Sequence, residues 1–190
     1  ETALAALNEL YRAVGRYEDL IGVLDAQVEL TPDYLEKVRL ATMAGVVLEA
    51  EIGDVARALA AYTRVLEFDE GNLDALDAVI RIHEARQEWK ELLAALERKA
   101  PLVPQDEIAL RMRMGGILES RLQDAEGAIQ AYEAVLSLEP AHADALDRLK
   151  DLYGGMEDWR GLADVYERQL GLSNEVPDRI LFCHHLAMLY

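Results

Sequence analysis

The chain has 190 residues, 52% of them hydrophobic and 29% charged, which excludes an intrinsically disordered segment. A single cysteine, Cys183, excludes an intrachain disulfide framework, and no uninterrupted apolar run is long enough for a membrane span. The formal net charge of −17 opposes nucleic-acid phosphates and anionic lipid surfaces and suits basic or mixed-charge protein partners.

Apolar residues recur at helical spacing along the whole chain, and strand and hairpin signals are missing. In chain order the pattern predicts helices near 2–14, 17–30, 33–51, 54–69, 73–86, 88–100, 105–121, 124–138, 142–153, 157–171 and 177–190. Gly15, Gly53, Gly71, Gly154-Gly155 and Gly171 are read as the breaks between them, with Pro32, Pro104 and Pro140 as further punctuation.

The pattern repeats. Leu4-x-x-Leu7-x-x-Leu10-Tyr11, Leu76-x-x-Val79-x-x-Ile82-His83 and Leu146-x-x-Leu149-x-x-Leu152-Tyr153 are each followed by an aromatic residue, Tyr17, Trp89 and Trp159. Tyr17 and Trp89 are 72 residues apart, and Trp89 and Trp159 are 70 apart. A second motif alternates with the first: Ala58-Leu59-Ala60-Ala61-Tyr62-x-x-Val65-Leu66 matches Ala128-Ile129-Gln130-Ala131-Tyr132-x-x-Val135-Leu136 at an offset of 70, as Gly45 matches Gly115. Each superunit of about seventy residues holds two halves, and each half is a pair of helices. One pair cannot bury its apolar face alone, so the pairs stack. The small residues Ala44, Gly45, Ala58, Ala61, Gly115, Ala128 and Ala131 permit close helix approach, and Tyr62 and Tyr132 are expected to be buried between pairs. Tyr17, Trp89 and Trp159 are likewise expected to pack between helices.

These residues resemble the tetratricopeptide repeats. The segment AIQAYEAVLSLEP, Ala128 to Pro140, is similar to the family's second helix and closing proline; in its earlier copy, Ala58 to Asp69, Glu70 stands where the proline would be. Gly15-Arg16-Tyr17 resembles the family's turn, whose glycine is replaced by Gln87 and Glu157 in the other copies. The family's small residue after the second large one is Asn8, Ile80 and Lys150 here. The even-numbered units carry about one extra residue in the inner turn, around Gly53-Asp54 and Gln123-Asp124. The resemblance implies an all-α fold, a right-handed α-solenoid of stacked antiparallel helix pairs with about five and a half repeats. The expected units are 1–32, 33–72, 73–105, 106–142, 143–175 and a half-unit 176–190, in one array. Glu1 in place of Met, and a last stretch Leu186 to Tyr190 inside an apolar helical pattern, read as cuts from a longer protein, of bacterial type. The final helix, with Ile180, Phe182, Leu186 and Leu189, is expected to lack a covering neighbour and to favour weak end-to-end self-association.

Catalytic signatures are missing. The glycines stand at turns rather than in a phosphate loop, the three serines Ser120, Ser137 and Ser173 lie in no nucleophile context, and the carboxylates sit on solvated faces. Cys183-His184-His185 are soft-metal ligand types, but consecutive helical residues point about 100° apart and cannot close on one ion. His83 occupies a position that is tyrosine in the other copies and is read as a packed histidine. The chain is therefore expected to be no enzyme, to hold no cofactor or metal, and to work in the cytoplasm without nucleic acid or membrane. The resemblance implies a scaffold that receives a partner peptide or helix in a concave groove lined by first helices. Glu9, Arg12, Arg39, Asp74, Asp77, Arg81, Asp144, Asp147 and Asp151 are the candidate groove residues. Their acidity, and that of Ala5-Glu9-Arg12 and its counterparts as sets, argues against the family's lysine-and-asparagine carboxylate clamp. The alternative is a regulatory or substrate-recruiting arm of an enzyme whose catalytic domain lies outside this segment.

Overall fold

A computed structural model describes residues 2–189; Glu1, Tyr190 and the side chains of Thr2, Ala3 and Ala5 lie outside the described residues. Among the described residues there are eleven α-helices and no strand. The chain separates into two compact units, Glu1–Leu102 and Val103–Tyr190. The first holds α1 (Thr2–Ala13), α2 (Tyr17–Leu30), α3 (Tyr34–Val47), α4 (Val55–Phe68), α5 (Leu73–Ala85) and α6 (Trp89–Lys99). The second holds α7 (Glu107–Ile117), α8 (Ala125–Leu138), α9 (Ala143–Gly155), α10 (Trp159–Leu172) and α11 (Val176–Leu189). Within each unit every helix packs on its sequence neighbours.

Helix starts follow local chemistry. Asp33, Asp54, Asn72, Asp124 and Asp158 each accept a hydrogen bond from a backbone N–H in the first turn, at 2.9–3.0 Å. At the start of α9 the acceptor is His142 Nδ1, 3.2 Å from the Ala145 N–H. These side chains satisfy donors that the helix itself leaves unpaired. Two expected breaks fall elsewhere: Gly154-Gly155 and Gly171 lie inside the last turns of α9 and α10, where a glycine weakens a helix without ending it.

The inner turns come in two forms. After α1, α5 and α9 the chain reverses through a left-handed residue, and the N–H of the next residue reaches back to a carbonyl: Arg16 to Tyr11, Glu88 to His83 and Asp158 to Tyr153, each at 2.9 Å. After α3 and α7 the last turn widens into a π-turn, Leu48–Ile52 and Leu118–Leu122, closed by Asp54 N–H to Leu48 O and Asp124 N–H to Leu118 O at 2.9 Å. The π-turn accommodates the extra residue of the even units.

Five inner-turn residues have positive φ: Gly15 (+70°), Gly53 (+77°), Gln87 (+58°), Gln123 (+54°) and Glu157 (+56°). A β-carbon is strained in that conformation. Replacing Gln87, Gln123 or Glu157 by glycine is therefore expected to stabilise by about 0.5–1 kcal/mol each. Gly15→Ala and Gly53→Ala should destabilise. Urea denaturation reads both signs, and a loss of stability in all three glycine variants contradicts the argument.

In the second unit the core gathers Ala128, Tyr132, Val135, Leu136, Ala145, Leu146, Leu149 and Val165. In the first, Tyr62, Val65 and Leu66 occupy the same places on α4, with Leu24, Leu40, Leu76 and Leu96 fully buried around the unit. As expected, Tyr62 and Tyr132 are buried, and each ring packs closely against a glycine of the preceding helix, Gly45 or Gly115. The expectation for the other aromatics needs correction. Trp159 is 51% exposed, and Tyr17 and Trp89 are only half-buried. Each is the first residue of a second helix, beside an inner turn rather than in the middle of a helix pair. No residue of α11 is buried: Ile180 is exposed, and Phe182, Leu186 and Leu189 are half-buried, with Phe182 and His185 laid against Tyr166 of α10. Cys183 is exposed on the same helix.

Candidate functional site

The candidate groove residues fall on first helices, and all are exposed. In the first unit Glu9 and Arg12 lie on α1, Arg39 on α3, and Asp74, Asp77 and Arg81 on α5. In the second, Asp144, Asp147 and Asp151 lie on α9. The spacings 74, 77, 81 and 144, 147, 151 put each trio on one helix face.

Four of the nine are engaged in ion pairs. Arg81 forms a two-pronged ion pair with Glu49, in the π-turn that follows α3. Asp77 pairs with Lys99 of α6, Arg39 with Glu36 through two hydrogen bonds, and Asp147 with Lys150 at 2.7 Å. Asp74 and Asp144 sit in the first turns of α5 and α9, where the helix dipole favours a negative charge.

Glu49 was not anticipated as a hub. Its carboxylate accepts from the Tyr62 hydroxyl at 3.1 Å as well as from Arg81. The arrangement recurs in the second unit, where the Tyr132 hydroxyl donates to Glu119 at 3.1 Å and Arg148 stands 3.6 Å from the same carboxylate. Glu49 and Glu119 are themselves 70 residues apart, the period of the tyrosines, so the signal was present in the repeat. The Arg81 hydrogen bonds, and then that of Tyr62, hold Glu49 below the usual carboxylate range against the opposing effect of burial.

Burial first, and then the adjacent Glu49 or Glu119, pushes the phenols of Tyr62 and Tyr132 up to about 12. A phenol whose pKa is higher folded than unfolded stabilises the fold fully below its unfolded pKa, about 10. That contribution disappears as pH rises through the folded value. Stability is therefore expected to fall between about pH 10 and 12. Tyrosinate absorbance followed together with circular dichroism checks this: the late-ionising phenols should appear with loss of helix, and Tyr62→Phe/Tyr132→Phe should remove them.

Second helices carry a different ladder of ion pairs. Arg57 of α4 is bidentate with Glu18 of α2, Arg64 pairs with Glu29, and Arg168 of α10 meets Glu133 of α8 at 2.6 Å. A hollow between α8 and α10 is lined by Glu133, Ser137 and Arg168, and these polar groups are already bonded within the chain. His83 is mostly buried, with Nδ1 2.7 Å from Glu88, as suits a packed histidine. Among the described residues no group of three or more His, Cys, Asp or Glu side chains could hold a metal ion, and no helix is long and apolar enough to cross a membrane.

The architecture is thus that of an all-α helical-repeat protein, built from antiparallel helix pairs. The family model for the tetratricopeptide repeat matches residues 3–38 and 145–180, one stretch in each unit, and the chain carries repeats of that family. No curated protein sequence matches. Similar solved structures include a MamA RS-1 ArsTM double mutant, 17% identical, covering 92% of this chain and 97% of that one at a TM-score of 0.48. A tetratricopeptide repeat protein from Parabacteroides merdae is also 17% identical, covering 100% of this chain and 72% of that one at a TM-score of 0.47. A MamA protein is 16% identical, covering 92% and 96% at 0.46.

Proposed function

We propose that the chain is a non-enzymatic protein-interaction scaffold that binds a basic or mixed-charge segment of a partner along the exposed faces of its first helices. The supporting observation is the division of its carboxylates. Many on second helices are tied into ion pairs with the next pair's arginines, whereas Glu9 on α1, Asp74 on α5 and Asp144 and Asp151 on α9 are exposed and pair with no cation among the described residues. Unpaired acids on one helix face within a chain of net charge −17 attract a basic segment over a distance and give up that attraction to salt.

A peptide-display screen against the chain tests the reading. Selected peptides should be rich in lysine and arginine, and their association should slow with added salt. Reversal of Asp144 and Asp151 together should slow association more than reversal of Glu139 and Asp164, which lie at or within second helices. Acidic or apolar selections, or equal effects of the two double variants, would remove the groove.

A further inference from the structure

Two cavities in different units are built from corresponding residues. One, of about 640 Å³, lies among α1, α2 and α3; the other, of about 410 Å³, lies among α9, α10 and α11. An offset of 142 residues carries the lining of the first onto the second: Leu4 to Leu146, Gln27 to Gln169, Leu30 to Leu172, Thr31 to Ser173, Glu36 to Asp178 and Leu40 to Phe182. The same offset relates the two family matches, 3–38 and 145–180. In the repeat between them the positions of Asn8 and Gln27 hold Ile80, which is buried, and Lys99, which is paired with Asp77.

Each cavity is lined by a residue that carries a buried, unpaired acceptor. Asn8 is 7% exposed; its Nδ2 donates to Gln27 Oε1 at 2.8 Å, and its Oδ1 is buried without a partner. In the second cavity it is Gln169 Oε1 that is buried and unpaired. A buried carbonyl oxygen left in that state is unfavourable, and a donor brought to it recovers the lost hydrogen bond. The remaining walls are of two kinds. Leu30 and Leu40, or Leu172 and Phe182, supply apolar surface; Asp33 and Glu36, or Asp147, Glu175 and Asp178, supply carboxylates. The one basic side chain in either lining is Arg39, which Glu36 already holds, and Asp147 is held by Lys150, so Asp33, Glu175 and Asp178 are the carboxylates left without a cation.

A group that suits all three features has a long apolar stem, a positive charge and N–H donors at its tip. We propose that each cavity takes a lysine or arginine side chain of the bound segment, its stem along the leucines and its tip donating to Asn8 Oδ1 or Gln169 Oε1. This rests on the reading of the chain as a binder of basic segments, and adds where the basic side chains go.

Methyl and side-chain-amide NMR on the intact chain tests it, with N-acetyl-arginine N-methylamide as probe and the neutral isostere N-acetyl-citrulline N-methylamide as control. The arginine probe should shift the Leu30 and Leu172 methyls saturably, with citrulline at least tenfold weaker. Gln169→Met should abolish the shift at Leu172 and spare that at Leu30; Asn8→Leu should do the reverse, with unchanged methyl dispersion in the altered unit of the free variant showing that it is folded. Equal response to citrulline, absence of saturation, or persistence of both shifts in both variants overturns the proposal. Should selected basic peptides still bind both variants with unchanged affinity, the cavities fall and the groove stands. Should no basic peptide be selected while the arginine probe binds as described, the groove falls and the cavities stand.

Discussion

Replacing Tyr132 with alanine is expected to destabilise the chain by about 3–5 kcal/mol, the range for truncating a buried aromatic. Its ring is 1% exposed and meets Gly115 of α7 on one side and the α8–α9 core on the other. Removal of the ring opens a cavity and leaves Glu119 without the phenol that donates to it. Glu133→Ala, one residue away, loses only the pair with a half-exposed Arg168 and should cost less than about 1 kcal/mol. Tyr132→Phe separates the two parts of the effect, because it keeps the ring and removes the hydrogen bond, for about 0.5–1.5 kcal/mol. Chemical denaturation of the three variants ranks them. Equal shifts for Tyr132→Ala and Glu133→Ala would mean that the seventy-residue register does not set which face of α8 is buried.

That register is where the sequence was most informative. The Tyr62 and Tyr132 motifs, and Gly45 and Gly115 upstream of them, located the contact between helices that the structure then displays, because large and small partners recur at one offset and only a physical pairing keeps them in step. Helix boundaries were legible where the apolar spacing is interrupted by residues such as Gly15, Gly53 and Pro32, while the capping roles of Asp54 and Asp124 emerged only from the structure. The extra residue of the even units was visible, but not its form: a π-turn differs from a loop in hydrogen bonding, which no side chain at Leu48–Ile52 announces. The aromatics Trp89 and Trp159 misled because periodicity reports position along a helix and says nothing about how much neighbour reaches that position.

The site was only half legible. Exposed acids on first helices could be named from spacing, yet their pairing state depends on contacts between helices. Asp77 with Lys99 and Arg81 with Glu49 join residues 22 and 32 apart. Nor did single residues suggest the two cavities. Asn8 was noticed only as a departure from a small residue, and Gln27 and Gln169 stand at equivalent positions that matter once their neighbours close around them. The signal available in advance was Asn8 itself, a polar residue at a position where the tetratricopeptide family has a small one, since a buried amide needs a partner for each of its polar atoms.

Gly115 and Gly116 give the sharpest test of the packing, because alanine at these adjacent positions should move stability in opposite directions. A β-carbon built on Gly115 would stand 2.4 Å from Cε1 of Tyr132 and 2.6 Å from its Cζ. The ring is enclosed by Ala128, Leu136 and Leu149 and cannot retreat without disturbing them, so the added methyl forces α7 and α8 apart. Overpacking of this kind typically costs about 1–3 kcal/mol, and a contact this close between helices belongs at the upper end. A β-carbon on Gly116 meets nothing within 4 Å, and the residue lies inside α7. Alanine there gains helix propensity, worth up to about 1 kcal/mol. Gly45→Ala, whose β-carbon would stand 2.7 Å from Tyr62, should repeat the Gly115 result in the first unit. If the ring is what sets the sign, Tyr132→Ala combined with Gly115→Ala should cost less than the two single changes added together, because the alanine methyl no longer has anything to strike. Thermal melts of the single and double variants decide it, and strict additivity would show that Gly115 is kept small for some reason other than this ring.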